Sequence, residues 1–300
     1  MHFGSWLAIG LCATLVSGCV STTQSPLTGH DRKQLLLIPQ NFYAQRSQKA
    51  YERSAKQKTV VGVTYINDPR MTRIMQNLVP HANAMLAQKR KINWQAKVVL
   101  SHTPNAYSLP SGQVILHSAL AWDPQFTEAE LSHLIAHEMI HIVREHSREK
   151  MSRGLVGQAG LLGTMTGVGA TAYTVGSVIN MLAIDLPHSR AIEHEADLLS
   201  LELMARAGID ARASLSFWEK TQKIMKRTNT VSKLPTVFST HAHVDERLPI
   251  IEAYLTKLEQ QSVQATIEQI QKVERDAEQH IAAVPSKWAN TPMIYPNGNH

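Results

Sequence analysis

The amino-acid sequence predicts an α+β fold, mostly α-helical, with one small sheet. Three observations carry this. Stretches of helical composition recur along the chain, while only Lys97–Ser101 and Gln113–His117 read as strands, with turn chemistry at Pro110-Ser111-Gly112 between the extended pieces. Three hundred residues with 43% hydrophobic content suffice for one sizeable domain and an appended helical segment.

From the start, Trp6 to Val16 is an apolar run too short to span a bilayer, with no Lys or Arg ahead of it. It ends in Val16-Ser17-Gly18-Cys19, which looks like a bacterial lipobox, so residues 1–18 read as an export signal cleaved before Cys19. Several acyl chains on Cys19, at ~0.8 kcal/mol per buried methylene, would anchor the protein stably. Residues 19–40 read as a tether, polar at first and apolar from Leu35 to Ile38.

The main domain spans residues 41–255. Phe42 to Lys58 and Arg70 to Gln88 have helical composition, the second after a start signal at Asp68-Pro69. Leu131 to Ser147 follows Thr127 and Glu130, which make a capping box, and Leu131, Leu134, Ile135, Ile142 and Val143 build a buried face. Gly154 to Ile184 carries no charge and reads as a Gly-rich helix or helical hairpin beside the site. A membrane crossing there would separate the candidate ligands on either side of it. Residues 211 to 228 look helical, and Thr228 to Ser239 is a loop. Residues 256–300 form a C-terminal helix, continuous with one starting near Leu248, and a loose tail.

Composition excludes several classes. Cys12 and Cys19 both lie near the start, so the rest of the chain holds no disulfide framework and no cysteine metal site. The net charge of +6 is scattered, and Lys89-Arg90-Lys91 is too short a run to support nucleic-acid binding.

The chemistry concentrates in His137-Glu138-Met139-Ile140-His141. On a helix, His137 and His141 lie on one face and can share an ion, while Glu138 can face a water held by it. Zinc hydrolysis needs this set: neutral imidazoles, an open coordination position and a carboxylate base. A metzincin is excluded, because Arg144 and Ser147 stand where that pattern wants Gly and His. His133 and His146 read as structural or surface residues.

A third ligand must come from elsewhere, and Ser189 to Leu199 offers it. Glu193 and Asp197 share a face at i, i+4, whereas Glu195 points away from them. Glu193 would complete the ligand set; Asp197 would hydrogen-bond the far nitrogen of a ligand imidazole. By position alone, His241 and His243 read as loop histidines in solvent.

H-E-M-I-H followed by Glu193 in E-x-x-A-D resembles the gluzincin metallopeptidases of the CaaX-prenyl-protease type. More closely, it looks like their bacterial periplasmic branch (BepA-like and LoiP-like lipoproteins) and the mitochondrial Oma-type proteases. Asn105 to Gly112 is similar to the family's N-A-F-A-L-P-G-G edge-strand motif, departing at Tyr107, Ser108 and Ser111. Ser189-Arg190, Ser239-Thr240-His241 and Arg247-Leu248 match further motifs, with Ala242 in place of a proline. The resemblance implies a zincin-like domain whose edge strand borders the site, and one Zn2+ per chain on His137, His141 and Glu193. It implies catalysis by Glu138, supported by Asp197 and His241. His241 would either donate to the oxyanion, with Arg247 beside it, or reach the metal and displace the water. It further implies a protease on the periplasmic face of the outer membrane, acting on unfolded or misassembled envelope polypeptides. A non-proteolytic chaperone that retained the zinc fold, and a protease acting within the bilayer, are the rival readings.

Overall fold

A computed structural model describes residues 19–21, 32–60, 64–86, 90–164, 190–228, 241 and 244–282. The chain divides into two compact units, Met1–Leu255 and Thr256–His300. The strands are β1 (Cys19–Ser21), β2 (Lys33–Leu35), β3 (Tyr65–Ile66), β4 (Gln95–Val99), β5 (Ala106–Ser108) and β6 (Gln113–His117). The helices are α1 (Gln40–Val60), α2 (Pro69–Ala84), α3 (Ser118–Ala121), α4 (Glu128–Val143), α5 (His146–Thr164), α6 (Arg190–Arg206), α7 (Ala213–Thr228) and α8 (Val244–Ala282). Helices dominate, around one four-stranded mixed sheet in the order β3-β4-β6-β5.

Local chemistry places the elements. Asp68 caps α2, accepting from the backbone N–H of Arg70 at 2.8 Å and Met71 at 3.1 Å, with Pro69 in the first turn, where its missing N–H costs nothing. Met71, Ile74, Met75, Leu78 and Ala82 then recur on one face and are buried. Thr127 and Glu130 form the capping box of α4, with Thr127 N donating to Glu130 Oε2 at 2.8 Å. Glu130 also accepts from Ser216 Oγ at 2.6 Å, which ties the start of α4 to α7.

β4 and β6 run parallel, while β3 and β5 are antiparallel to their neighbours and form the two edges. The turn from β5 into β6 requires Gly112. Its φ is +110°, and a Cβ there would meet the Asn93 carbonyl oxygen at 2.4 Å.

Helix α4 is the centre of the core: every residue from Glu130 to Val143 is buried. It packs on α6, α2 and α7 and against β5. Truncating a buried member such as Ile135 to Ala would cost about 2–5 kcal/mol.

Two features depart from the sequence expectations. Leu131 to Ser147 is not one helix, because α4 stops at Val143, Glu145 takes a positive φ of 51°, and α5 starts at His146. Residues 32–38 are not loose: Leu37 N donates to Ser152 Oγ at 3.0 Å, and Ile38 packs with Tyr43 and Met151. Of the Gly-rich stretch, residues 154–164 continue α5; residues 165–184, like the export signal and the loop at 229–239, lie outside the described residues. Among the described residues, no helix is long and apolar enough to cross a membrane.

Candidate metal centre

Helix α4 supplies His137, Glu138 and His141, α6 supplies Glu193 and Asp197, and His241 comes from just before α8. All six are buried. One ligand atom from each of His137, His141, Glu193 and His241 lies within 4.8 Å of the others. His137 Nε2 is 3.0 Å from His141 Nε2, 3.3 Å from His241 Nδ1 and 3.4 Å from Glu193 Oε2. His241 Nδ1 is 2.9 Å from Glu193 Oε2, and His141 Nε2 is 3.8 Å from Glu193 Oε1.

Those separations fit a metal. Four N and O ligands at zinc bond lengths of 2.0–2.1 Å, arranged tetrahedrally, stand ~3.3 Å apart. The donors are of the kind zinc takes, imidazole nitrogens and a carboxylate oxygen, all buried, with the Glu138 carboxylate beside them.

Charge in the pocket is strongly coupled. Burial disfavours the His241 cation, but Glu193 and Glu138 outweigh it and raise its pKa to about 10. Burial works against ionised Glu138, yet His241, His137 and a hydrogen bond with Ser108 hold its carboxyl below the usual range. Glu138 Oε1 lies 2.9 Å from His241 Nε2. His241 is therefore a pocket residue and not a solvated loop histidine.

The outer nitrogens of His137 and His141 are backed differently. His137 Nδ1 lies 3.2 Å from Asp197 Oδ1. Asp197 is gripped by Arg247, Nε to Oδ2 and Nη2 to Oδ1, both at 2.6 Å, and this keeps its carboxyl well below the ordinary range despite burial. Arg247 also lies over the Trp218 ring, 4.5 Å from its centroid, and donates to the His241 carbonyl at 3.2 Å. Its fork is committed to Asp197, so its first role is to fix that carboxylate.

His141 Nδ1 instead meets His146 Nδ1 at 2.8 Å, and His146 Nε2 meets Glu195 Oε2 at 3.0 Å. Sequence reasoning missed both residues. His146 is fully buried, and Glu195, set aside as facing away, is a buried anion among Arg32, Arg144 and His146. The signal for Glu195 was an unassigned acid lying between Glu193 and Asp197, both of which already had roles. Burial in apolar surroundings dominates at His133, which sits against Phe217, Trp218 and His137 and has its pKa lowered to about 3.

Edge strand β5 borders the site through Ser108. Beside it lies a small cleft lined by Ser108, Pro110, His141, Tyr43, Arg90 and Glu145.

Residues 66–255 match the family model described as Peptidase family M48. The chain is 30% identical over 247 residues to a protein of Bos taurus named "Metalloendopeptidase OMA1, mitochondrial", covering 75% of this chain and 46% of that one. It is 28% identical over 242 residues to the protein of that name from Homo sapiens, covering 76% and 45%. It is 27% identical over 196 residues to the "Beta-barrel assembly-enhancing protease" of Escherichia coli (strain K12), covering 61% and 38%. The chain thus spans less than half the length of these relatives.

Proposed function

Because the chain belongs to peptidase family M48, we propose that it is a zinc-dependent endopeptidase with His137, His141 and Glu193 as metal ligands and Glu138 as general base. The observation that carries this is the buried meeting of two α4 imidazoles with an α6 carboxylate, one residue from a second carboxylate. His137, His141 and Glu193 would hold a Zn2+ ion, which when bound would supply Lewis acidity and lower the pKa of a water to ~7.

The chain's own residues do the rest. Glu138, kept ionised by its neighbours, takes the proton released as water adds to the peptide carbonyl and hands it to the leaving amine. Asp197 and Arg247 hold His137 in place. A substrate strand adds to the edge at β5, so main-chain hydrogen bonds position the scissile amide with little demand on sequence.

His241 favours a second reading of the resting state. Its Nδ1 sits among the ligand atoms and its Nε2 lies against Glu138, the two places that attacking water and substrate oxygen need. In this arrangement His241 closes the site, and catalysis requires it to withdraw and then face the oxyanion as a donor.

The same reading extends to location and substrate. A lipid on Cys19 would hold the chain at the periplasmic face of the outer membrane, supported by the order Val16-Ser17-Gly18-Cys19 after an apolar run. Unfolded or misassembled envelope polypeptides are the proposed substrates, in keeping with the name of the E. coli relative. The test is casein cleavage by zinc-loaded wild type and Glu138→Gln. Wild type cleaves and the variant does not; equal rates would remove the peptidase and leave the chaperone reading.

A further inference from the structure

Asp197 faces the outer nitrogen of His137, but the outer nitrogen of His141 faces another imidazole. His141 Nδ1 and His146 Nδ1 are 2.8 Å apart, and the far side of His146 reaches Glu195 Oε2 at 3.0 Å. Two arginines clamp Glu195: Arg144 on Oε1, and Arg32 on Oε2 with Nη2 at 2.6 Å and Nε at 2.8 Å. Arg32 also grips the buried Glu149 with two 2.6 Å bonds. It comes from the segment just before β2, 163 residues from Glu195.

The proton positions along this row follow from its outer end. A carboxylate held by two guanidiniums can only accept, so His146 Nε2 donates to it. In the neutral imidazole the other nitrogen then accepts, so His141 Nδ1 donates to His146 Nδ1. That leaves the lone pair of His141 on Nε2, the atom 3.0 Å from His137 Nε2. Each member thus has one role open to it, and the last is the tautomer a metal ligand needs.

The backbone break at Glu145 makes this geometry available. In an unbroken helix a residue five beyond His141 would point about 140° away from it. The left-handed turn at Glu145 starts α5 so that the His146 ring comes back to His141.

We infer that His146 and Glu195, locked by Arg32 from the segment leading into β2, are positioning residues that fix the tautomer and aim of His141 and so set metal affinity. This rests on His141 being a ligand, as proposed above. It adds that metal affinity depends on the docking of Arg32, from the stretch whose sequence reads as a tether, far from the site along the chain.

The test is Co2+ affinity of the full-length protein by chelator competition, together with the ligand-field spectrum of the Co2+ form. His146→Phe keeps a ring but removes the acceptor, and its affinity falls roughly 10- to 100-fold with an altered spectrum. His146→Asn, which keeps an acceptor oxygen near the Nδ1 position, recovers much of that loss. Arg32→Met, at the rim of the network, weakens binding in the same direction by a smaller factor. Circular dichroism checks that each variant is folded, and Arg32→Met decides if His146→Phe is not. Folded Phe and Met variants that bind Co2+ like wild type would overturn this inference alone. A wild type that binds no Co2+ would overturn the metal centre and this inference with it.

Discussion

Arg247 and Asp197 form a two-pronged pair, 2.6 Å at each carboxylate oxygen, buried beneath His137. The fork fixes Asp197 as an anion, and Trp218 under the guanidinium fixes the fork. Removing one partner of such a pair strands a buried charge, so Arg247→Met should cost about 3–5 kcal/mol in denaturant unfolding. Arg247→Lys keeps the charge but not the planar fork, and should recover only part of that stability.

The buried acid of the second network predicts a dependence on pH. Burial opposes ionisation of Glu195, but His146, Arg144 and Arg32 prevail and lower its pKa to about 2 from an ordinary 4.5. A depressed carboxyl pKa stabilises the fold above the unfolded value and loses that contribution as pH falls through the folded one. The stability gap between wild type and Glu195→Gln, measured without metal, should therefore be full above about pH 4.5 and shrink toward pH 2. A gap that stays constant over that window would show that Glu195 acts by packing alone.

His241 separates two roles in one variant. Loss of its ring removes one atom from the four-membered ligand cluster, so His241→Ala should bind metal more weakly than wild type. If its main effect is to close the site, turnover per bound metal rises. If it is chiefly the oxyanion donor, turnover falls about 10²- to 10³-fold. Peptide hydrolysis normalised to metal content reads the difference.

The β5 edge depends on a glycine. Gly112→Ala places a Cβ against the Asn93 carbonyl at a φ of +110°, so the β5–β6 turn must shift. We expect about 1–3 kcal/mol of destabilisation and, on the proposed reading in which β5 positions substrate and α4 carries the base, a rise in KM before a fall in kcat. Steady-state kinetics on a fluorogenic peptide, with thermal unfolding, checks both.

Much of this fold is legible in the sequence where signals are local. Helix α4 follows from the Thr127–Glu130 box and the apolar spacing behind it, and α2 from Asp68-Pro69. The convergence of Glu193 on α4 is legible only as chemistry, since two histidines and a neighbouring acid lack a third ligand. What was not legible depended on tertiary geometry. Glu145 is an unlikely residue for a left-handed turn, and nothing local announces the break; its carboxylate is held there by Arg90 at 3.1 Å and Arg148 at 3.0 Å. With the break unseen, His146 falls on the wrong face and Glu195 has no partner. Arg32 reads as part of a polar tether, because the buried acids it meets lie more than a hundred positions away.

Zinc content after saturation and desalting tests the shared ion most directly, measured by mass spectrometry on wild type, Glu138→Gln and Glu193→Gln. Wild type and Glu138→Gln should each retain one zinc per chain, and Glu193→Gln should retain far less. Full retention by Glu193→Gln, or none by wild type, would contradict a metal held jointly by α4 and α6.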